Sequence, residues 1–483
     1  MIGASEVYQT KQTKMHYKVF AFVAVVFLIR LLFTTQPPVE YEHSWRQATG
    51  LMYARNYVET DANFFHPRID DDSGGTGILV LEAPIMYYGM YLLSIPFGYQ
   101  DWYGRLINLI VSSLGLCFLF LLVRRFFSER VACYATLILT TSLWLIFSRK
   151  TMQDTFAMSL VLMGLYCGFR YFDQGNWRTL IGYTALTALG MLAKIPAGLY
   201  LLFPVLYLMR YPVARKRMAW WGISTLVPVI LSYLWYFVYA PYASERYGYW
   251  YNLGEPLMDG WRSLYQNMDR VLENYFFQSF HSIVFVVAYL LCWVYMVRKK
   301  EWNHLILFGS FTLLFGVYMI RSGTYFVQHN YYMIPYIPVM AVMIALALTR
   351  IPKKNWAVFF LIMGMAEGTA WVARDFTDSP REAYKMKLTE IVREYSAPDD
   401  RIVLVNNGNP IGFYFAHRKG WLQANEEPLS MDKIKEVSGK GARILIVNRH
   451  VRRATYNLPI LYEDEDYRIY ELGKYPGRFG LVD

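Results

Sequence analysis

A succession of long apolar runs constrains this chain more than any other feature. A helix that crosses a bilayer needs about 20 mostly apolar residues. About eleven stretches approach that length: 18–34, 103–123, 131–147, 155–172, 179–193, 197–210, 218–240, 281–297, 304–320, 332–348 and 355–373. The apolar run from 180 to 210 divides at Ala193-Lys194-Ile195-Pro196, because a lysine followed by a proline fits an interfacial turn better than a bilayer centre. Of the 483 residues, 55% are hydrophobic and only 18% charged, against about 25% charged in ordinary soluble domains. The expected fold class is an all-α polytopic membrane bundle with about 11 transmembrane helices.

The net charge of +11 would point to nucleic acid in a soluble chain. Here Lys and Arg fall in short clusters between apolar runs, the pattern of cytoplasmic loops under the positive-inside rule, so no nucleic-acid partner is expected. With the N-terminus cytoplasmic, the basic loops 124–130, 173–178, 210–217, 298–300 and 350–354 lie inside. The opposite face receives 35–102, 148–154, Lys194, 241–280, 321–331 and everything after Arg374. Cys117, Cys133, Cys167 and Cys292 all sit in or beside apolar runs, so neither a disulfide framework nor a metal-ligand set is signalled. The first 17 residues are polar, with Lys11 and Lys14, and the apolar run behind them shows no cleavage site; a retained first helix is expected.

Two domains follow, 1–374 in the membrane and 375–483 outside it. The tail is polar and carries strand-like runs at 401–405, 443–447 and 467–470 beside a helix-like stretch at 381–395, which reads as a small extracytoplasmic α/β domain. The first outer loop, 35–102, is far longer than an ordinary connection. Within it, 45–58 and 83–94 have amphipathic helical spacing rich in Tyr, Met and Leu, as interfacial helices do.

Ionisable residues at outer membrane ends tend to face a cavity or substrate path. The acids are Glu40 and Glu42 after the first run, Asp154 opening the fourth, and Asp70-Asp71-Asp72, which reads as a solvated turn before Ser73-Gly74-Gly75. Asp154 also suits a helix N-terminus. The cationic set is Arg46, Arg55, Arg149, Lys150, Lys194, Arg321 and His329, suited to a phosphate or to pairing with neighbouring acids. Tyr41, Tyr53, Tyr87, Tyr88, Tyr325, Tyr331 and Tyr332 fall near the outer interface. Tyrosines there form a belt or line a sugar site.

These residues carry a resemblance. Glu42-His43-Ser44-Trp45-Arg46-Gln47, Glu82-Ala83-Pro84-Ile85-Met86-Tyr87-Tyr88, Ser148-Arg149-Lys150-Thr151-Met152-Gln153-Asp154 and Leu192-Ala193-Lys194 resemble the membrane glycosyltransferases of the C-type fold, in particular the aminoarabinose-transferase and protein O-mannosyltransferase group. The tail segment Phe413-Tyr414-Phe415-Ala416-His417-Arg418-Lys419-Gly420-Trp421 is similar to the outer domain of bacterial members. The resemblance implies a multi-pass protein of the bacterial inner membrane with interfacial helices in its first outer loop. It also implies transfer of a sugar from a polyprenyl-phosphate carrier to an extracytoplasmic hydroxyl, with inversion. The acceptor, whether glycan, lipid or protein, stays open, as does a divalent cation; membrane lipids are the other expected partner.

By the same resemblance Glu42 or Glu40 removes the proton from the attacking hydroxyl, and Asp154 is the orienting acid. His43, Arg46, Glu82, Tyr87, Tyr88, Arg149, Lys150, Lys194, Arg321, His329 and Tyr331 are the expected substrate contacts. A phosphate leaves readily once cations stabilise its charge, and a carboxylate in reach suffices as base. Two departures stand out. Relatives commonly have an Asp-Glu pair where this chain has Glu40-Tyr41-Glu42, and aminoarabinose transferases have Lys-Pro-Pro where it has Glu82-Ala83-Pro84. The missing cation has to come from Arg149, Lys150, Lys194 or Arg321. The alternative is a transporter or flippase of lipid-linked saccharide; no internal repeat supports it, and the candidate residues gather at one face instead of mid-span.

Overall fold

The computed structural model describes residues 15–41, 43–73, 75–423, 429–451 and 455–472. The described residues up to Ala193 contain eight α-helices: α1 (Met15–Leu31), α2 (Ser44–Glu59), α3 (Ile85–Phe97), α4 (Tyr103–Phe126), α5 (Glu129–Leu139), α6 (Leu143–Phe147), α7 (Gln153–Gln174) and α8 (Trp177–Ala193). Among the described residues, five helices are long and apolar enough to cross a membrane: Tyr103–Phe126, Gln153–Gln174, Arg215–Tyr247, Trp302–Ser322 and Lys354–Phe376. Met268–Gln278 and Ile283–Arg298 make a sixth if they count as one span, bent by 97°. Ile85–Phe97, Ile195–Arg210 and Ile337–Thr349 are apolar but shorter. The protein is therefore a multi-pass membrane protein, but where about eleven spans were expected only five or six of the described helices have spanning length.

The shorter helices have local causes. The run at 131–147 breaks because the helix stops at Leu139 and Ser142 starts α6 afresh, its hydroxyl accepting from the Trp144 N–H at 3.2 Å. α8 stops at Ala193, where Lys194 turns extended (φ −158°, ψ 107°) and Pro196 enters a 3₁₀ turn, Ile195–Leu201. That is the division expected from Lys194 and Pro196. Small residues bring the helices together. A Cβ on Gly115 of α4 would lie 2.2 Å from the Ser159 hydroxyl of α7, and one on Gly190 of α8 only 2.7 Å from the Ala157 carbonyl, the close backbone approach typical of helices packed in membranes.

Both expected loop helices form, as α2 and α3, but α2 is covered by protein and presents no apolar face to lipid. Thirteen of its 16 residues are buried, and it contacts α3 on one side and the helix Ile411–Ala416 on another. α3 does expose an apolar edge, Leu92, Ile95 and Phe97.

The tail forms a five-stranded sheet: β1 (Arg401–Val405), β2 (Gly420–Gln423), β3 (Ala442–Asn448), β4 (Ile460–Glu463) and β5 (Tyr467–Glu471), in the order β2-β1-β3-β5-β4. β1 runs parallel to β2 and β3, while β5 is antiparallel to β3 and β4. Val403, Val405, Leu445 and Val447 pack with Ile434 and Val437, whereas Ile402, Leu404, Ile444 and Ile446 belong to the main core. Covering on both faces accounts for the unbroken apolar runs of β1 and β3.

Asp70-Asp71-Asp72 is not a solvated turn. Asp70 and Asp72 are buried because this segment pairs with the edge of the sheet: the Gly420 N–H donates to the Asp70 carbonyl at 3.0 Å and the Ser73 N–H to the Gly420 carbonyl at 2.9 Å. Arg401 grips Asp72 through two bonds of 2.8 and 2.9 Å. Asp70 meets the buried Arg55 of α2 and accepts from the Asn56 amide at 2.8 Å. Asp70→Ala leaves Arg55 buried without its carboxylate. We expect a loss of about 3 kcal/mol, read as a lower thermal midpoint with faster amide exchange in β2.

Candidate active site

Two ion clusters flank the start of α2, and they differ in kind. The first surrounds Glu40, which is fully buried. One of its oxygens accepts from Arg105 and Arg149, both at 2.8 Å; the other accepts from Lys150 at 3.1 Å and the Gln47 amide at 2.9 Å. Lys150 also reaches Asp375 at 3.0 Å, and Arg149 donates to the carbonyls of Phe33 (2.7 Å) and Asp375 (2.8 Å) and to Gln36 (2.8 Å). Burial opposes ionisation of Glu40, but Arg105, Lys150 and Arg149 outweigh it and hold the carboxyl well below its ordinary range. Arg149 and Lys150, expected to be available to a phosphate, are thus engaged with Glu40 and Asp375 and only 0–1% exposed.

Three amides brace the turn that carries these cations. Asn108 donates to the carbonyls of Phe147, Lys150 and Met152 at 2.8–3.0 Å. Gln47 accepts from the Thr151 N–H at 3.1 Å. Gln153 accepts from the Met86 N–H at 3.0 Å and donates to the Ala83 carbonyl at 3.0 Å and, at 3.3 Å, to that of Ala193, which locks Glu82-Ala83-Pro84 against the ends of α7 and α8.

The second cluster is somewhat less deeply buried and alternates in sign. Arg46 pairs with Glu82; Lys194 reaches the other oxygen of Glu82 at 2.7 Å and Asp154 at 3.2 Å. Burial again opposes ionisation of Glu82, and Arg46 with Lys194 outweighs it, so the carboxylate is held well below its usual range. Tyr87 adjoins this array; its ring meets Tyr53 edge-on at 5.6 Å. The buried Tyr53 hydroxyl has no hydrogen-bond partner among the described residues.

An aromatic wall closes the array. Lys194 sits 5.3 Å from the Tyr331 ring centroid. His329 stacks on Tyr331 at 5.2 Å, Tyr332 follows at 5.0 Å, and His43 meets Tyr331 edge-on at 4.8 Å while bonding Asn330 at 3.3 Å. His43 enters α2 in the left-handed region, φ 59°, which turns its ring toward the wall. Burial, together with His329 and Lys150, pushes His43 down to about 3, and burial beside Arg46 and Lys194 pushes His329 to about 4. Both are neutral imidazoles at pH 7.

The structure brings Arg46, Glu82, Tyr87, Asp154, Lys194, His43, His329 and Tyr331 together. Tyr88 instead packs against Tyr57, Phe64 and Tyr91, and Arg321 donates to the Glu255 carbonyl at 2.6 Å. Glu42 lies outside the described residues. Sequence reasoning missed Gln47, Arg105 and Asp375. The signal that could have found Arg105 is its place as a cation inside the apolar run 103–123. Among the described residues no group of three His, Cys, Asp or Glu side chains converges to hold a metal. Lys194 binds both Glu82 and Asp154, so a dication there would have to displace an ammonium; the described residues do not fit one.

Residues 82–239 match the sequence family described as dolichyl-phosphate-mannose-protein mannosyltransferase. ArnT from Cupriavidus metallidurans in the apo state superposes with a TM-score of 0.66 at 12% identity, covering 94% of this chain and 98% of that one. The chain has the C-type glycosyltransferase fold. ArnT bound to undecaprenyl phosphate gives 0.61 at 11% identity, covering 95% and 98%. The Archaeoglobus fulgidus oligosaccharyltransferase tethered with an acceptor peptide gives 0.59 at 11% identity, covering 90% and 69%. No curated protein sequence matches the chain.

Glu40→Gln leaves three buried cations facing an amide, and a loss of about 3–5 kcal/mol is expected, measured as a lower thermal midpoint. The lowered pKa fixes the sign in acid. The folded state keeps Glu40 ionised where the unfolded chain protonates it, so its stabilisation is full above the ordinary carboxylate range and fades as pH falls below it. Thermal midpoints taken at descending pH should fall more steeply for the wild type than for Glu40→Gln.

Proposed function

We propose that the chain is an integral-membrane glycosyltransferase that moves a sugar from a polyprenyl-phosphate carrier to an extracytoplasmic hydroxyl with inversion. The observation that carries this reading is the convergence of Arg46 and Lys194 on one carboxylate oxygen pair, Glu82, beside Asp154 and the His329–Tyr331 wall. Two cations aimed at a single anionic group suit a phosphate monoester that competes for the same donors. The likeness to ArnT, which has been solved with undecaprenyl phosphate, supports a lipid carrier. The topology that goes with it has the N-terminus cytoplasmic, about eleven passes, and residues 375–483 outside the bacterial inner membrane.

In this mechanism the acceptor oxygen attacks the anomeric carbon, and the bond from that carbon to the phosphate oxygen breaks with its electron pair leaving on polyprenyl phosphate. Arg46 and Lys194 stabilise the charge that develops on the leaving phosphate. The proton of the attacking hydroxyl passes to a carboxylate. Glu40 is a poor candidate because four donors occupy its two oxygens, so the base role goes to Glu42. Asp154 orients Lys194. Tyr331, Tyr332 and the neutral His43 and His329 offer flat faces to a pyranose.

The test is transfer from a synthetic polyprenyl-phosphate sugar in proteoliposomes. Glu42→Gln should lower kcat by at least about a hundredfold at an unchanged thermal midpoint, and Asp154→Asn should reduce transfer as well. Full activity in both variants would overturn the mechanism. Lys194→Met should raise KM for the donor roughly tenfold or more, as expected when a charge-assisted bond to phosphate is lost. Movement of donor across the bilayer without product would identify a flippase instead.

A further inference from the structure

Residues 257–278 form two helical segments, Leu257–Gln266 and Met268–Gln278, interrupted only at Asn267. The second segment meets Ile283–Arg298 at 97°. With Ile283–Arg298 crossing the bilayer, a segment turned through a right angle runs along the membrane surface.

The side chains of this stretch divide three ways. Gly260, Leu264, Val271 and Asn274 are buried against the protein. Gly260 packs on the Ile320 carbonyl so closely that a Cβ would lie 1.8 Å from it, and the Asn274 amide donates to the carbonyls of Phe326 and Val327 at 2.9 and 3.2 Å. Met258 (70% exposed), Trp261 (54%), Tyr265 (70%), Met268 and Leu272 form a second, apolar and exposed set. Asp259, Arg262, Gln266, Asp269, Arg270 and Glu273 form a third, polar set. Within Leu257–Gln266, at roughly 100° per residue, the buried pair Gly260 and Leu264, the apolar Met258, Trp261 and Tyr265, and the polar Asp259, Arg262 and Gln266 are centred roughly 100–150° apart around the helix. A helix between protein and water needs two faces. Three faces are needed where protein, hydrocarbon and water meet.

We propose that Leu257–Gln278 is a membrane-surface strap whose Met258, Trp261, Tyr265, Met268 and Leu272 lie among lipid chains at the headgroup boundary. The helices that this stretch packs against also expose apolar residues, Ile283 and Val287 on one and Leu313 and Val317 on the other. Trp and Tyr suit this depth, with an apolar body and a polar edge. The polar set holds Asp259, Asp269 and Glu273 against Arg262 and Arg270. With no cationic excess, the surface it fits is zwitterionic lipid and requires no anionic headgroup. The inner face grips 320–327, the segment that leads into His329 and Tyr331, so seating on lipid also steadies the aromatic wall. This inference rests on the chain spanning a membrane and is independent of the reaction it catalyses.

The test places a nitroxide at Trp261→Cys and, separately, at Arg262→Cys, in the full-length chain with Cys117, Cys133, Cys167 and Cys292 changed to Ala, reconstituted in phosphatidylcholine nanodiscs. Relaxation by oxygen relative to a water-soluble nickel chelate should be roughly fivefold higher at 261 than at its neighbour 262, and unchanged when phosphatidylglycerol is added. Equal access of the nickel chelate to both sites would overturn the proposal. So would protection of site 261 from both reagents, which would mean a protein partner or a second copy covers the stripe, and so would membrane contact that needs phosphatidylglycerol. Should the cysteine-free chain not fold, brominated phosphatidylcholine gives the same decision on the native background: Trp261→Phe should remove a quenchable part of the tryptophan emission, and undiminished quenching would refute the strap.

Discussion

The carboxylate of Glu40 sits in the water-excluded end of the helix bundle, and its neutralisation by Arg105, Arg149 and Lys150 ties together elements far apart in sequence. Arg105 comes from the first turn of α4, Arg149 and Lys150 from the turn before α7, and Asp375 from the end of the span Lys354–Phe376. An ion taken out of water is tolerated only when its lone pairs are met, and here four donors meet two oxygens. Arg30 of α1 extends the network through Ser148 at 2.7 Å and the Leu145 carbonyl at 2.5 Å. Well-packed apolar residues could stabilise such a junction equally well. A buried ion cluster adds register, because a helix that shifts by one residue strands a charge.

That register sets the second cluster. Arg46 and Gln47 are neighbours on α2, and one turns to Glu82 while the other turns to Glu40. With Gln47 fixed between Glu40 and the Thr151 N–H, Arg46 is aimed at Glu82. Gln153, next to Asp154, holds the Ala83 and Ala193 carbonyls that adjoin Glu82 and Lys194. Each member of this array is therefore one residue away from a member of the structural framework. The framework is saturated and buried, while the array beside it is partly open and charge-balanced, which is the division expected of a support and a site.

Much of this was legible in the sequence, and the failures have physical reasons. Apolar runs revealed the bundle because a bilayer demands length, and Lys194 with Pro196 marked the break after α8. The strand runs of β1, β3 and β5 showed their pattern; β2 and β4, four residues each, are too short to show one. The burial of α2 was not legible, since its Tyr, Met and Leu spacing fits an interface and a core equally, and only the packed sheet decides between them. Asp70-Asp71-Asp72 misled for the same reason: three consecutive acids look solvated unless Arg55 and Arg401, distant in sequence, are known to reach them. Glu40 and Glu42 could not be separated by motif. The structure buries Glu40 among three cations, and Glu42 lies outside the described residues.

The same α2 joins the two halves of the molecule. Its first turn carries Arg46 and Gln47, and its last two turns carry Arg55, Asn56 and Glu59, bound to Asp70 and, through Glu59, to His417 of the sheet domain at 3.1 Å. Sixteen residues at 1.5 Å each make the helix about 24 Å long. Because the helix is buried along nearly its whole length, it cannot bend to absorb a displacement at one end. A shift of the sheet relative to the bundle either breaks the Asp70 and Asp72 contacts or moves Arg46 against Glu82. The sheet is thus better regarded as the outer wall of the site's framework than as an appended module, and the long first loop is long because it has to reach both.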